Sequence, residues 1–222
     1  MSAESDHRVV AIDGPAASGK STVARRVAEN LGFLYVNSGA MYRAFTWLAL
    51  ERGIDCEDAE VVSALVAATD FTCVADEGAG VVGLDGKVAG DEVHGAEVNA
   101  QVSHIAAVPA VRDRIFEVLH AFPKEHEVVM EGRDIGSVVF PETPYKFYID
   151  ASPEIREARR RAQGLEDSIA DRDRKDSTRK AAPLTIAEDA VVVDSSHLGI
   201  DEVVGEVLAQ LAAQGMSEAE RK

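Results

Sequence analysis

The chain has 222 residues, 46% of them hydrophobic, which is enough to bury a full core as one sizeable domain. Its formal net charge of −16 opposes nonspecific association with nucleic acid or an anionic membrane, because both would repel it. With no bilayer-length apolar run and no signal or lipidation motif, the expectation is a cytoplasmic monomer with neither membrane nor nucleic-acid partners.

In chain order, Val9-Val10-Ala11-Ile12-Asp13 is a short apolar run ending in an acid and reads as a buried strand. Gly14-Pro15-Ala16-Ala17-Ser18-Gly19-Lys20-Ser21 follows, with Thr22 after it, and fits G-x-x-x-x-G-K-[ST] at every fixed position. Val23, Val27 and Leu31 then recur four residues apart, with Arg25, Arg26 and Glu29 on the opposite side, so a helix begins here and Gly32 stops it. A strand, a glycine-rich turn and a helix make an anion-binding cradle from successive backbone N–H groups and the positive helix end. Gly14 and Gly19 allow close approach of phosphate, Lys20 can reach the β- and γ-phosphates, and the Ser21 hydroxyl suits Mg²⁺. Gly14 to Thr22 is therefore expected to bind a nucleoside triphosphate.

Further along, Phe33-Leu34-Tyr35-Val36 reads as a strand, followed by a helix from about Ala40 with Met41, Phe45 and Leu48 inward and Gly53 as its stop. Another helix carries Val61, Val62, Leu65 and Val66, and Pro109 opens one that carries Val111, Ile115, Leu119 and Phe122. Val128-Val129-Met130, Lys146-Phe147-Tyr148-Ile149 and Val191-Val192-Val193 read as buried strands, and Val203, Val204, Val207, Leu208 and Leu211 as a last helix. Buried strands alternating with helices imply an α/β fold, a parallel sheet covered on both faces. Cys56 and Cys73 lack metal-site spacing and read as small hydrophobes, and the six histidines form no ligand pair.

Two stretches break the rhythm. Phe71 to Val98 is punctuated by Gly78, Gly80, Gly83 and Gly86, and Leu84-Asp85-Gly86-Lys87 carries a hairpin signal, so a small β excursion is expected. Arg156 to Lys180 holds nine basic residues against six acids. The alternatives are a solvated, ion-paired helix face and an arginine-rich lid over a phosphoryl-transfer centre, and the phosphate loop favours the lid.

Ser38-Gly39-Ala40-Met41-Tyr42-Arg43 and Gly132-Arg133-Asp134-Ile135-Gly136 each follow a strand, so both should reach the carboxyl edge of the sheet, where ligands bind. Arg43 and Arg133 offer guanidinium forks for a second phosphate, with Ser38 and Tyr42 adding hydroxyls.

These motifs, with Val138-Val139-Phe140-Pro141 and Arg172-Asp173-Arg174-Lys175-Asp176-Ser177-Thr178-Arg179 before Ala182-Pro183, resemble those of the bacterial cytidylate kinases, P-loop nucleoside monophosphate kinases, from about Val9 to Leu211. The resemblance implies a P-loop three-layer sandwich in a single domain spanning 1–222. A β insert in the monophosphate-binding region would occupy about 70–101 and a lid about 156–180. It implies transfer of the ATP γ-phosphoryl group to CMP or dCMP with Mg²⁺. By position, Ser38, Tyr42, Arg43 and Arg133 would hold the acceptor phosphate, and Ser103, Arg112 and Asp134 would face cytosine, organised by Arg179. Arg172 and Asp176 would meet the ribose, while Lys20, Arg133, Arg159 and Arg160 would surround the migrating charge. The base chemistry agrees, because a carboxylate accepts from the cytosine amino group and opposes the uracil oxygen at the same place.

Other acceptors, such as AMP, UMP or shikimate, define the nearest rival readings. A GTP-hydrolysing switch would want an N-K-x-D stretch, which the chain lacks, and an ATP-binding protein without turnover would ignore CMP. Two features depart from the family pattern: only Ala162 to Asp171 separates the arginine clusters, and Glu131 stands where aspartate is common.

Overall fold

The computed structural model describes residues 7–162, 173–175 and 184–216. Arg172, Asp176 and Arg179, and most of the segment expected to form a lid, lie outside them.

The sheet is built around β1 (Val9–Asp13), buried along its whole length and paired in parallel with β6 (Val128–Gly132) on one side and β7 (Tyr145–Asp150) on the other. β2 (Leu34–Asn37) flanks β6 and β8 (Val191–Asp194) flanks β7, both in parallel. Among the described residues the order is β3-β4-β2-β6-β1-β7-β8. The glycine-punctuated stretch supplies β3 (Phe71–Asp76), β4 (Ala79–Leu84) and β5 (Lys87–Val88). They do not stand apart as an excursion. β4 continues the main sheet at Tyr35↔Ala79, with β3 and β5 antiparallel to it. The expected tight turn links β4 to β5, with Asp85 at φ 50° and Gly86 at φ 75°, the left-handed pair that a two-residue hairpin requires.

Alternation along the strands sorts side chains into two apolar cores, which makes three layers. Val9, Ala11, Val128 and Met130 face one core. There they pack against α2 (Ser38–Glu51), α3 (Ala59–Ala67), α4 (Ala96–Ile105) and α5 (Pro109–Ala121) through Met41, Phe45, Leu65, Ile105 and Ile115. Val10, Ile12, Val129 and Ile149 face the other core. It is closed by α1 (Lys20–Leu31) and α7 (Ile200–Ala213) through Val23, Val27, Val207 and Leu211.

Three readings change. β8 ends the described sheet, so Val192 is 50% exposed rather than buried on both faces. α2 starts two residues early because Asn37 Oδ1 accepts the Ala40 N–H at 3.0 Å, a side-chain cap. Helix α4 was not foreseen at all, although Val98, Val102 and Ile105 keep helical spacing and are buried. Cys56 is buried and Cys73 half-buried, both free thiols.

Candidate active site

At the carboxyl end of β1 the chain must turn sharply past its neighbour β7. Gly14 sits at φ 151°, and a Cβ there would lie 2.2 Å from the Ile149 carbonyl oxygen, so no other residue fits without moving β7. Gly19 enters α1 from φ 92°, leaving the first N–H groups of the helix directed into the space above the sheet. Lys20 is buried, its Nζ donating to the Pro15 carbonyl at 3.3 Å and standing 3.9 Å from Glu131 Oε2.

Opposite this loop, β2 and β6 end in the two segments expected to receive the acceptor. Ser38 Oγ donates to the Glu131 carbonyl at 2.9 Å and so joins them. Gly132 is required by that contact, since a Cβ would fall 2.6 Å from Ser38 Oγ and 2.8 Å from Ile135 Cγ1. Beyond Gly132 the chain makes one π-helical turn (Ile135–Val139), whose first two N–H groups are accepted by Asp13: Ile135 by Oδ1 at 2.8 Å and Gly136 by Oδ2 at 2.7 Å. Burial pushes the Asp13 carboxyl up to about 7, against those two donors, which favour the charged form.

The two walls enclose one cleft of about 220 Å³. Ala16, Ala17, Gly19, Lys20, Ser21 and Thr22 line it on the loop side, and Ser38, Tyr42, Arg43, Ser103, Arg133 and Asp134 on the other, with Arg160 joining from α6 (Pro153–Ala162). Thus Lys20, Arg43, Arg133 and Arg160 converge on the cleft of a strongly acidic chain and outnumber the two acids of its lining, Glu131 and Asp134, a balance that suits an anionic ligand.

Other sequence-selected residues sit behind the wall. Arg112 is buried on α5 and donates to Asp134 Oδ2 from one nitrogen and to the Ala106 carbonyl at 3.4 Å from another. It therefore holds Asp134 and does not line the cleft. Arg159, expected beside the migrating charge, turns away: its guanidinium donates to the Ser18 carbonyl at 3.0 Å, to Ser195 Oγ at 3.0 Å and to the Ser195 carbonyl at 2.7 Å. Arg156 grips the same loop through the Ala16 carbonyl at 3.3 Å and pairs with Asp173 at 2.7 Å. Gly14, Pro15 and Ser18 belong to the loop without lining the cleft.

Sequence reasoning did not assign roles to Asp13, Ser195 or Arg156. The signal for Asp13 was present, an acid closing an otherwise apolar strand. Glu131 is also resolved: it is buried, and its Oε1 accepts the Tyr35 hydroxyl at 3.1 Å, so a neighbouring strand satisfies the longer side chain.

A mainly parallel sheet, a phosphate loop at its carboxyl edge and a second cationic wall across the same cleft define a P-loop phosphotransferase with two anionic substrates. The sequence profile of the cytidylate kinase family matches residues 10–213. A cytidylate kinase of Pelotomaculum thermopropionicum is 44% identical over 216 residues, covering 92% of this chain and 96% of its own. Those of Rhodococcus jostii and Methylococcus capsulatus are 42% and 41% identical over 212 and 207 residues, covering 90% and 88% of this chain and 93% of their own. The chain belongs to the cytidylate kinase family, enzymes that phosphorylate CMP or dCMP at the expense of ATP. Among the described residues no helix is long and apolar enough to cross a membrane.

Proposed function

We propose that this chain transfers the γ-phosphoryl group of ATP to CMP or dCMP, forming ADP and the pyrimidine diphosphate. The observation that carries the assignment is the meeting of both half-sites in one cleft: Lys20 and the loop N–H groups on one wall, Ser38, Arg43, Arg133 and Asp134 on the other. Bound across it, the acceptor's phosphate oxygen attacks the γ-phosphorus while the bond to the bridging oxygen of ADP breaks. Positioning and charge stabilisation do most of the work. Ser38, Tyr42, Arg43 and Arg133 hold the acceptor phosphate, Lys20 follows the migrating charge, and Arg160 adds a cation from α6. Arg159 acts one step back, by fixing the Ser18 carbonyl and hence the loop.

Asp134, oriented by Arg112, accepts from the cytosine amino group, and Ser103 supplies a hydroxyl on the same wall. Arg172, Asp176 and Arg179 are assigned to the ribose and base by resemblance alone. Mg²⁺ would be supplied together with the ATP phosphates. The Ser21 hydroxyl in the cleft is a hard oxygen donor, which suits an ion that keeps most of its water and binds chiefly through substrate phosphates. The ion would neutralise phosphate charge. We place the enzyme in the cytoplasm as a monomer, one domain over 1–222 with the insert at about 70–101 and the lid at about 156–180.

The test is ADP release from ATP with CMP, dCMP, UMP and AMP offered separately. CMP and dCMP should react and CMP should exceed UMP by about tenfold or more, the cost of one mismatched buried polar pair. Purified protein that forms no CDP overturns the assignment.

A further inference from the structure

Asp13 belongs neither to the phosphate loop nor to the acceptor wall, yet it touches the frame of both. It is the last residue of β1, immediately before Gly14, and its backbone pairs with Gly132 across the β1–β6 ladder. Its carboxylate then reaches past Arg133 and Asp134 to take the N–H groups of Ile135 and Gly136 at 2.8 and 2.7 Å. The dipeptide Arg133-Asp134 is therefore bracketed, on one flank through the strand pairing and on the other through the side chain of the same residue. Val138 N–H and Val139 N–H to the Asp134 carbonyl and Phe140 N–H to the Ile135 carbonyl close the turn internally, while α5 meets it through His120 Nε2 at 2.7 Å from the Val139 carbonyl and through Arg112 on the Asp134 side chain. None of these bonds runs to β1; the two from Ile135 and Gly136 to Asp13 do.

A buried carboxylate is costly unless its oxygens are satisfied, and a strand end could be closed more cheaply by an apolar residue. Both Asp13 oxygens are instead spent on the two leading N–H groups of a turn 122 and 123 residues away. Within electrostatic reach, Lys20 favours its charge and Asp134 opposes it.

We propose that Asp13 is a positioning residue for the acceptor nucleotide, setting the stance of Arg133 and Asp134 by anchoring the turn that follows them to the root of the phosphate loop. This rests on the reading of those two residues as the CMP-gripping pair.

The test is steady-state kinetics of Asp13→Asn, Asp134→Asn and the double variant, with CMP, UMP and ATP each varied. Asparagine keeps one acceptor oxygen but turns an N–H donor toward a backbone donor, so the CMP KM should rise about tenfold while the ATP KM stays within about twofold. Preference for CMP over UMP should shrink, and the double variant should lose less than the product of the two single losses, because Asp13 acts partly through Asp134 and partly through Arg133. An unchanged CMP KM in Asp13→Asn, or equal rises for CMP and ATP, overturns the proposal. Should Asp13→Asn fail to fold, amide hydrogen exchange in the unaltered enzyme decides: the Ile135 and Gly136 amides should be protected and should slow further when CMP is added. Exchange at the rate of exposed turn amides, or indifference to CMP, overturns it. Loss of the parent reading is distinguishable, since the unaltered enzyme would then make no CDP.

Discussion

Arg112 and Asp134 form an ion pair whose side chains are only 5% and 6% exposed, at the edge of the cleft where the acceptor's base is assigned. The guanidinium also lies 5.0 Å from the Phe116 ring and 5.9 Å from the Tyr42 ring, so aromatic faces fix its plane. Arg112→Ala would strand a buried carboxylate and should cost about 3–5 kcal/mol of stability, measured by denaturant unfolding. Asp134→Asn should instead act on selectivity. An amide can present its NH₂ to the uracil oxygen, so the ratio of kcat/KM for CMP over UMP should fall toward one. A ratio that does not change would remove Asp134 from base recognition.

Lys20→Ala should lower turnover by about a hundredfold or more, the scale of losing one preorganised charge partner for a developing anion. The fold should persist, because Arg156 and Arg159 still hold the loop through the Ala16 and Ser18 carbonyls, and the Glu131 carboxylate keeps the Tyr35 hydroxyl. Circular dichroism and thermal melting alongside the rate assay check both halves of this statement.

Arg159 and Arg160 are sequence neighbours with different surroundings, and their alanine variants should separate kinetically. Arg160 lines the cleft, so Arg160→Ala should reduce kcat. Arg159 holds the Ser18 and Ser195 carbonyls, so Arg159→Ala should raise the ATP KM by about tenfold through a loosened loop. Equal effects on kcat and KM from both variants would contradict the division.

The Asp13 carboxyl is raised from its ordinary 3.8 to about 7 by burial. Between those values the folded chain keeps a proton on Asp13 that the unfolded chain releases, so the Asp13 contribution to stability falls as pH rises from about 4 and levels off above about 7. Asp13→Asn has no such proton. The stability gap between the unaltered enzyme and this variant, read from urea midpoints, should therefore be wider at pH 5 than at pH 8. A gap independent of pH would mean that Asp13 stays charged throughout.

The phosphate loop, the strand before it and the helix after it were legible because each rests on local chemistry: a glycine with no room for Cβ, a run of β-branched residues, a period of four. The Asp85-Gly86 hairpin was legible for the same reason, through backbone angles that few residues adopt. Helix α4 was missed because Gly95 caps its start without a side chain, Asn99 interrupts its pattern and the glycines upstream suggested more strand; Asn99 in fact donates back to the His94 and Gly95 carbonyls at 3.0 and 3.1 Å. Asp13 and Arg159 could not be resolved from sequence. Their partners lie 122 and 141 residues away, and nothing in a local window says which carbonyl or amide a side chain will meet.

Arg156 and Arg159 stand on one stretch of α6 and clasp the Ala16 and Ser18 carbonyls, while Ser195, from the end of β8, donates its own hydroxyl to Ser18 at 2.8 Å. Helix, loop and strand end are thus joined on one side of the loop, while Ala16, Ala17 and Gly19 line the cleft on the other. Any displacement of α6 would have to break or carry these bonds, so the position of the helix and the shape of the nucleotide cradle are coupled.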